Sequence, residues 1–272
     1  MELSKKEITL FRTTVRKQYQ LNGRAFPWRE TLNPYFVLVS EIMLQQTQTV
    51  RVEPKYRAFV KKYSTVKKLA SANLIDVYGL WQGLGYNRRA RMLRDAAKEI
   101  VATHKGKMPV SFAELKKLPG VGPYTAGAIM AFAYDVPIVI IETNIRAVFL
   151  HYFFANKEGI EDAQLLPLIA QTLPRSNAKK WYNALMDYGA YLKATHPNPS
   201  RKSKHHATQS SFEGSVRQAR GAILRALLGN CASKKQLTQQ TGYIGEKLDK
   251  AVSSLIKDGS IIQQGSRYTI RN

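Results

Sequence analysis

The sequence predicts a mainly α-helical protein that ends in a small module of three helices and a β-hairpin, and three observations carry the prediction. Apolar residues recur at three- and four-residue spacing across 35–50, 66–80, 89–103 and 178–192, the period of an amphipathic helix. Strand-like alternation is scarce up to about residue 195. Between two helix-like segments lies Leu118-Pro119-Gly120-Val121-Gly122-Pro123-Tyr124-Thr125-Ala126, a short turn with two glycines.

That turn is expected to join two helices. Residues 111–117 (SFAELKK) open with Ser111 as N-cap and Glu114 three residues on, while 125–134 (TAGAIMAFAY) is small and apolar. Gly120 and Gly122 permit positive φ and close approach, and the amides opening the second helix point outward with its dipole, so the turn suits a phosphate. A plain helix-turn-helix corner accounts for either glycine taken singly.

Residues 195–206 (THPNPSRKSKHH) are polar and contain proline, which reads as an exposed linker or basic loop, with a domain boundary near residue 210. The histidines His196, His205 and His206 allow a metal site, but solvated basic loops with histidines are far commoner and no metal is expected. Beyond the loop, 216–228 reads as one helix, 233–240 as a second with Ser233 as N-cap, and 244–257 as a third after a turn at Gly242. Residues 261–264 and 267–270 then pair around Gly265-Ser266. Three helices and a hairpin read as a winged helix, a shape that usually lays its third helix in the major groove and its wing on the backbone. Lys247, Lys250 and Arg267 are thus candidate DNA contacts. A protein-interaction module of the same shape is the other reading.

With 272 residues, 44% of them hydrophobic, the chain can bury one large core or two ordinary ones. Its net charge is +23, and the basic residues recur along the whole length, as in Lys61-Lys62, Lys67-Lys68, Arg88-Arg89 and Lys179-Lys180. A polyanion is the natural partner. An anionic membrane competes, but no long uncharged apolar segment exists, and the start (MELSKKEITLFR) is charged where a signal peptide is apolar. A soluble intracellular protein is expected. The single cysteine, Cys231, excludes an internal disulfide framework and any all-cysteine metal or iron–sulfur site, and reads as a small core residue.

Two acids stand out. Glu41 interrupts the apolar run 34–44; enclosed by Val39, Ile42 and Leu44 it would hold a proton near neutrality as a general acid does, whereas on an exposed face it is an ordinary helical glutamate. Glu142 ends the apolar run 136–141 in Glu-Thr-Asn, the pattern of a helix N-cap, and a carboxylate there near a DNA backbone could also stabilise a cation forming on the sugar. Cleaving an N-glycosidic bond needs such a pair, one acid for the leaving base and one carboxylate for the oxocarbenium-like sugar, around an extruded base.

The segments SEIMLQQTQTV, LWQGLGYNRRARML and LPGVGPYTAGAIMAFAY, in this order, resemble the helix-hairpin-helix (HhH-GPD) DNA glycosylases of the MutY adenine glycosylase branch over roughly residues 20–195. The first is the most specific, through its glutamate and double glutamine. The resemblance implies a two-lobed helical fold: a six-helix lobe over about 25–135, and a second lobe from the N-terminal helix plus about 136–195. A basic linker (196–212) and the winged-helix-like module (213–272) follow. It implies that Leu118, Gly120, Val121, Gly122 and Thr125 of the hairpin grip the DNA, and that an adenine mispaired with 8-oxoguanine or guanine is flipped into the cleft between the lobes.

Matched position by position, Glu41 is the acid that protonates the adenine ring. Gln46 and Thr47, preceded by Gln45, are the residues that wedge into the duplex. Leu84 and Tyr86 form a second wedge near the opposing purine, with Arg88 beside it. Tyr124 stands where lyase-type relatives carry a Schiff-base lysine, which implies base release without strand cutting, and positions the water or sugar. Asn144 matches the asparagine after the catalytic carboxylate, and Phe26-Pro27-Trp28-Arg29 the family's opening segment.

Three departures matter. The second carboxylate, normally aspartate, is Glu142, whose extra methylene moves the charge by about an ångström; it is expected to remain the sugar-facing group. The four cysteines of a [4Fe–4S] cluster are replaced by Lys193, Ser200, Ser203 and Gln209, so no cofactor is expected, with the 193–206 loop keeping the DNA-facing surface. The Nudix-like C-terminal domain of many relatives is replaced by the winged-helix-like module. The expected protein is thus a monofunctional, monomeric adenine DNA glycosylase of base excision repair, cytoplasmic and nucleoid-associated in a bacterium, with DNA and no membrane as partner. A glycosylase for thymine, uracil or hypoxanthine and a non-catalytic DNA-binding protein are the alternatives.

Overall fold

The computed structural model describes residues 1–206, 208 and 210–271. They form the helices α1 (Lys5–Asn22), α2 (Pro34–Leu44), α3 (Thr49–Lys62), α4 (Val66–Ala70), α5 (Leu74–Trp81), α6 (Arg88–His104), α7 (Phe112–Lys117) and α8 (Pro123–Ala133), followed by α9 (Thr143–Phe153), α10 (Asp162–Thr172) and α11 (Ala178–Thr195). After them come α12 (Val216–Ala226), β1 (Ala232–Ser233), α13 (Lys234–Thr241), α14 (Gly245–Lys257), β2 (Ile261–Gln264) and β3 (Arg267–Ile270). The mainly helical class expected from the apolar spacing is the class observed. No helix among the described residues is long and apolar enough to cross a membrane.

Two spans expected as single helices are each broken. The 35–50 span stops at Leu44 and restarts at Thr49, because Gln46 turns into the left-handed region at φ 53°. The 66–80 span breaks at Ser71–Asn73, where the Asn73 side chain accepts from the Ile75 amide at 2.8 Å and caps a new helix.

The chain divides into two compact units. The first comprises 1–38, 110–116 and 121–208, with α11 packed on α9, α1 and α8. Its core is aromatic: Phe11 lies 5.1 Å from Phe149 and 4.9 Å from Tyr152, ring centre to ring centre, and Trp181 closes the group. The α1 helix begins with a capping box in which the Ser4 side chain and Glu7 satisfy each other's amides.

The second unit comprises 39–109, 117–120 and 209–272. Here α6 packs on α4 and α5 over Leu69, Leu74 and Leu93, while α12 packs on α13 and α14 over Ile223, Leu237 and Leu248. The hairpin β2–β3 pairs Ile261 with Ile270 and Gln264 with Arg267, turning at Gly265 with φ 59°, and β1 adds to the outer side of β3. Tyr78 of α5 donates to the fully buried Ser260 at 2.8 Å, and Ser260 meets Asp258, which Arg220 of α12 also binds. This polar seam fastens the C-terminal module to α5.

Candidate active site

Glu41 lies mid-helix in α2 and is buried, at 7% exposure, beside Val39, Ile42 and Met43, which are all at or below 1%. It is therefore not the solvated helical glutamate that spacing alone allows.

The chain after α2 is shaped by a residue that the sequence reading passed over. Arg89, 8% exposed, sends its guanidinium from α6 into the turn after α2. Its Nη1 donates to the carbonyls of Ile42 (2.7 Å), Met43 (2.9 Å) and Gln45 (2.7 Å). Its Nη2 donates to Thr47 Oγ1 (2.9 Å) and to the carbonyls of Leu84 (3.2 Å) and Gly85 (3.0 Å). Thr47 Oγ1 in turn donates to the Leu84 carbonyl at 3.1 Å. One buried cation thus ties the 45–47 loop to the 83–86 loop. Burial lowers its pKa to about 10, so it stays charged at neutral pH.

Each loop carries one non-glycine residue in the left-handed region, Gln46 at φ 53° and Tyr86 at φ 47°. Such residues cost about 1–3 kcal/mol each and persist where the surroundings enforce them. Gln46 is exposed and Tyr86 half-buried, both at loop tips. Leu84, by contrast, is buried at 4% exposure, so its side chain packs inward. Arg88 is exposed at the start of α6.

In the glycine turn, Glu114 N donates to Ser111 Oγ at 3.2 Å, the expected cap of α7. Gly120 uses the left-handed region at φ 77°, and a Cβ there would stand 3.0 Å from Met92 Cβ. Gly122 does not: it is the N-cap of α8 at φ −85°, ψ 179°, an extended conformation open to any residue, so its smallness rather than its φ is what an approaching backbone would use. Leu118, Val121 and Thr125 are buried anchors, with Gly122 and Pro123 exposed and Tyr124 half-buried between them.

Glu142 is the N-cap of α9. Its Oε1 accepts from the amides of Asn144 (2.7 Å) and Ile145 (2.8 Å), and its Oε2 accepts from Asn144 Nδ2 (3.1 Å). The extra methylene is absorbed by folding the carboxylate back over the first turn. Behind it α11 passes so closely that a Cβ on Gly189 would lie 2.2 Å from the Asn144 carbonyl oxygen. Desolvation holds the half-buried Lys193 below the usual ammonium range, while the nearby Glu142 charge pulls the other way.

The segment after α11 is not a free linker. Pro199–Lys202 forms a 3-10 turn capped by Asn198, Ser200 Oγ donates to the Thr143 carbonyl at 3.2 Å, and Ile160 exchanges backbone hydrogen bonds with Lys202 (2.9 Å) and Lys204 (3.0 Å). Ser200 and Ser203 are buried. These residues do not fit an iron–sulfur cluster: Lys193, Ser200 and Ser203 offer an ammonium and hydroxyls instead of thiolates, and Gln209 lies outside the described residues. Among the described residues no group of three or more His, Cys, Asp or Glu is arranged to hold a metal ion.

The opening segment Phe26–Arg29 is a clamp. Asp187 of α11, its side chain fully buried, receives a two-pronged pair of bonds from Arg29 (2.7 and 2.8 Å) and further bonds from Arg24 Nε (2.7 Å) and the Arg24 amide (2.8 Å). Phe26 lies under both guanidiniums, 5.2 and 5.1 Å from ring centre, and stacks on Trp28. Burial pushes the Asp187 carboxyl up, but the arginines outweigh it and hold the carboxyl below the ordinary range.

In the C-terminal module Lys247 and Lys250 are exposed on α14, and Lys250 pairs with Glu246 at 2.6 Å. Arg267 is exposed at the start of β3 and donates to Cys231 Sγ at 3.3 Å. Cys231 is itself exposed, which corrects its reading as a core residue: it precedes the edge strand β1 rather than facing the interior.

Buried acid, strained loop tips, glycine turn and capped carboxylate occur on the helices of a DNA-repair fold. Residues 39–170 match the family described as HhH-GPD superfamily base excision DNA repair protein, and the chain belongs to that superfamily. Within it the chain is similar to adenine DNA glycosylases. It is 35% identical over 186 residues to that of Buchnera aphidicola subsp. Baizongia pistaciae, covering 68% of this chain and 53% of the relative. It is 29% identical over 264 residues to that of Mycolicibacterium smegmatis, covering 90% of each. The chain thus spans about half the length of the first of these relatives. A solved thermostable thymine-DNA glycosylase shares the fold with TM-score 0.64 and 26% identity, over 70% of this chain and 89% of that one.

Proposed function

We propose that this protein is a monofunctional DNA glycosylase that removes adenine mispaired with 8-oxoguanine or guanine, the first step of base excision repair. The observation that carries the proposal is the burial of Glu41 in the apolar α2, directly before the loop that Arg89 holds in a strained form. A carboxyl kept from water there suits a general acid that donates its proton to the departing base. Glu142 is the carboxylate that faces the sugar as positive charge develops, with Asn144 fixing one of its oxygens. Tyr124, in place of an amine, forms no Schiff base, so the product is an intact abasic strand. Double-stranded DNA is the partner, favoured by the +23 charge. The protein acts as a monomer where the DNA is, in the cytoplasm or nucleoid of a bacterium, without an iron–sulfur cluster, and residues 213–272 form a winged-helix-like module.

The likeness to a thymine-DNA glycosylase favours one second reading, excision of thymine from T:G. Duplexes holding A:8-oxoG, A:G, T:G, U:G or hypoxanthine, treated with protein and then alkali, separate the readings. Release confined to adenine supports the proposal; release at T:G alone replaces it with the second.

A further inference from the structure

The most distinctive contact of the C-terminal module is made with a loop tip. Arg217 of α12 donates from Nη1 to the Tyr86 hydroxyl and lays its guanidinium 5.2 Å from the Tyr86 ring centre. Arg89 lies 5.6 Å from the same ring, so two guanidiniums approach Tyr86. Arg217 is itself steered: Nη2 donates to the Ser210 carbonyl at 3.0 Å, and the half-exposed Phe212 ring lies 5.7 Å away. Its buried Nε has no hydrogen-bond partner among the described residues. Arg217 therefore bears an unmet polar cost where a phenol at φ 47° must be kept in place.

The outward face of α14 is a poor rival for DNA. Lys250 is paired with Glu246 at 2.6 Å and Asp249 with Lys234 at 2.5 Å, so of the two candidate lysines Lys247 alone is in no ion pair among the described residues. An aromatic side chain anchored on a strained loop tip, by contrast, is the kind of group on which a nucleobase stacks.

Resting on the glycosylase reading, we infer that Arg217 is a positioning residue for mispair recognition. Through it the C-terminal module acts on DNA by fixing the Tyr86 ring, rather than by laying α14 in the groove.

Five variants test this: Arg217→Met, Arg217→Lys, Tyr86→Ala, the combination of Arg217→Met with Tyr86→Ala, and the α14 pair Lys247→Ser/Lys250→Ser. The readout is the ratio of Kd for matched duplex to Kd for the mispaired duplex that the wild type prefers, measured at several salt concentrations. Arg217→Met is expected to shrink the ratio about tenfold while the salt slope stays the same, and to add less than about twofold in the Tyr86→Ala background, since the two residues act as a unit. Arg217→Lys is expected to restore only part of the ratio, because an ammonium cannot stack and bond as the planar fork does. The α14 pair is expected to leave the ratio unchanged. Three results overturn the inference: an unchanged ratio in Arg217→Met, an equal loss on both duplexes with a shallower salt slope, or full additivity with Tyr86→Ala. A wild type without any mispair preference overturns the glycosylase reading itself, and the inference falls with it; a failure of Arg217 alone shows only in the variants.

Discussion

Arg89 and Asp187 are both charged and both nearly sealed from water, at 8% and 2% exposure, yet their charges are met in opposite ways. Asp187 faces two guanidiniums and a backbone amide, which offset the cost of burying it. Arg89 makes no ion pair among the described residues; its partners are carbonyls, one hydroxyl and the rings of Trp81 and Tyr86. The desolvation penalty of a buried ion is several kcal/mol, and here hydrogen bonds and ring contacts offset it in place of a counter-charge. What Arg89 organises in return is the pair of loops whose tips, Gln46 and Tyr86, are strained. The buried charge met by counter-charges holds the scaffold together, whereas the one met by backbone carbonyls fixes the shape of two loops.

The comparison breaks first at Arg89. Arg89→Lys cannot span both loops, and we expect adenine release in single turnover to fall about a hundredfold, the scale of an ångström-sized displacement, even at temperatures where a thermal melt shows it folded. Release within threefold of wild type would make Arg89 no more than scaffold. Asp187→Asn leaves two arginines facing a neutral amide and should cost about 3 kcal/mol, lowering the melting temperature by about 6–12 °C. Its release rate, measured well below that temperature, should change little; a rate loss as deep as that of Arg89→Lys would erase the contrast.

Two smaller effects sharpen it. Gly189 lies two residues beyond Asp187 on α11 and faces Asn144 instead. Gly189→Ala should cost about 1–3 kcal/mol and, unlike Asp187→Asn, slow adenine release in the same single-turnover assay by disturbing the Glu142 cap. The smallest effect is on acid stability. The folded Asp187 carboxyl titrates below its unfolded value of about 4, so its contribution is present above that value and is lost as pH falls through the folded one. Acid unfolding followed by circular dichroism should therefore be shallower below pH ~4 in Asp187→Asn than in wild type.

Much of this was legible in the sequence. Helices α6 and α11 appear where apolar spacing put them, the Ser233 cap and the 261–270 hairpin fall where glycine and serine signalled them, and Glu41 stands out as an acid in an apolar run. The break at 45–48 was hidden because a glutamine, not a glycine, takes the left-handed turn, under constraint from Arg89 rather than by its own preference. Arg89 is masked in the sequence by its neighbour Arg88, the exposed one of the pair. The stripe Arg89, Leu93, Ala96 and Ile100, all buried, would have put it on the inner face of α6. The 195–206 loop is largely exposed, as expected, but its anchoring is hidden in the sequence because the partners Ile160 and Thr143 are distant along the chain.

The central claim is that two carboxyl groups, one buried and one capping a helix, release adenine without cutting the strand. Its most direct test is single-turnover release from an A:8-oxoG duplex by wild type, Glu41→Gln and Glu142→Gln, with products resolved with and without hot alkali. We predict that wild type produces breaks only after alkali and that each variant is slowed at least about a hundredfold. Breaks without alkali, or a Glu142→Gln protein as fast as wild type, would contradict it.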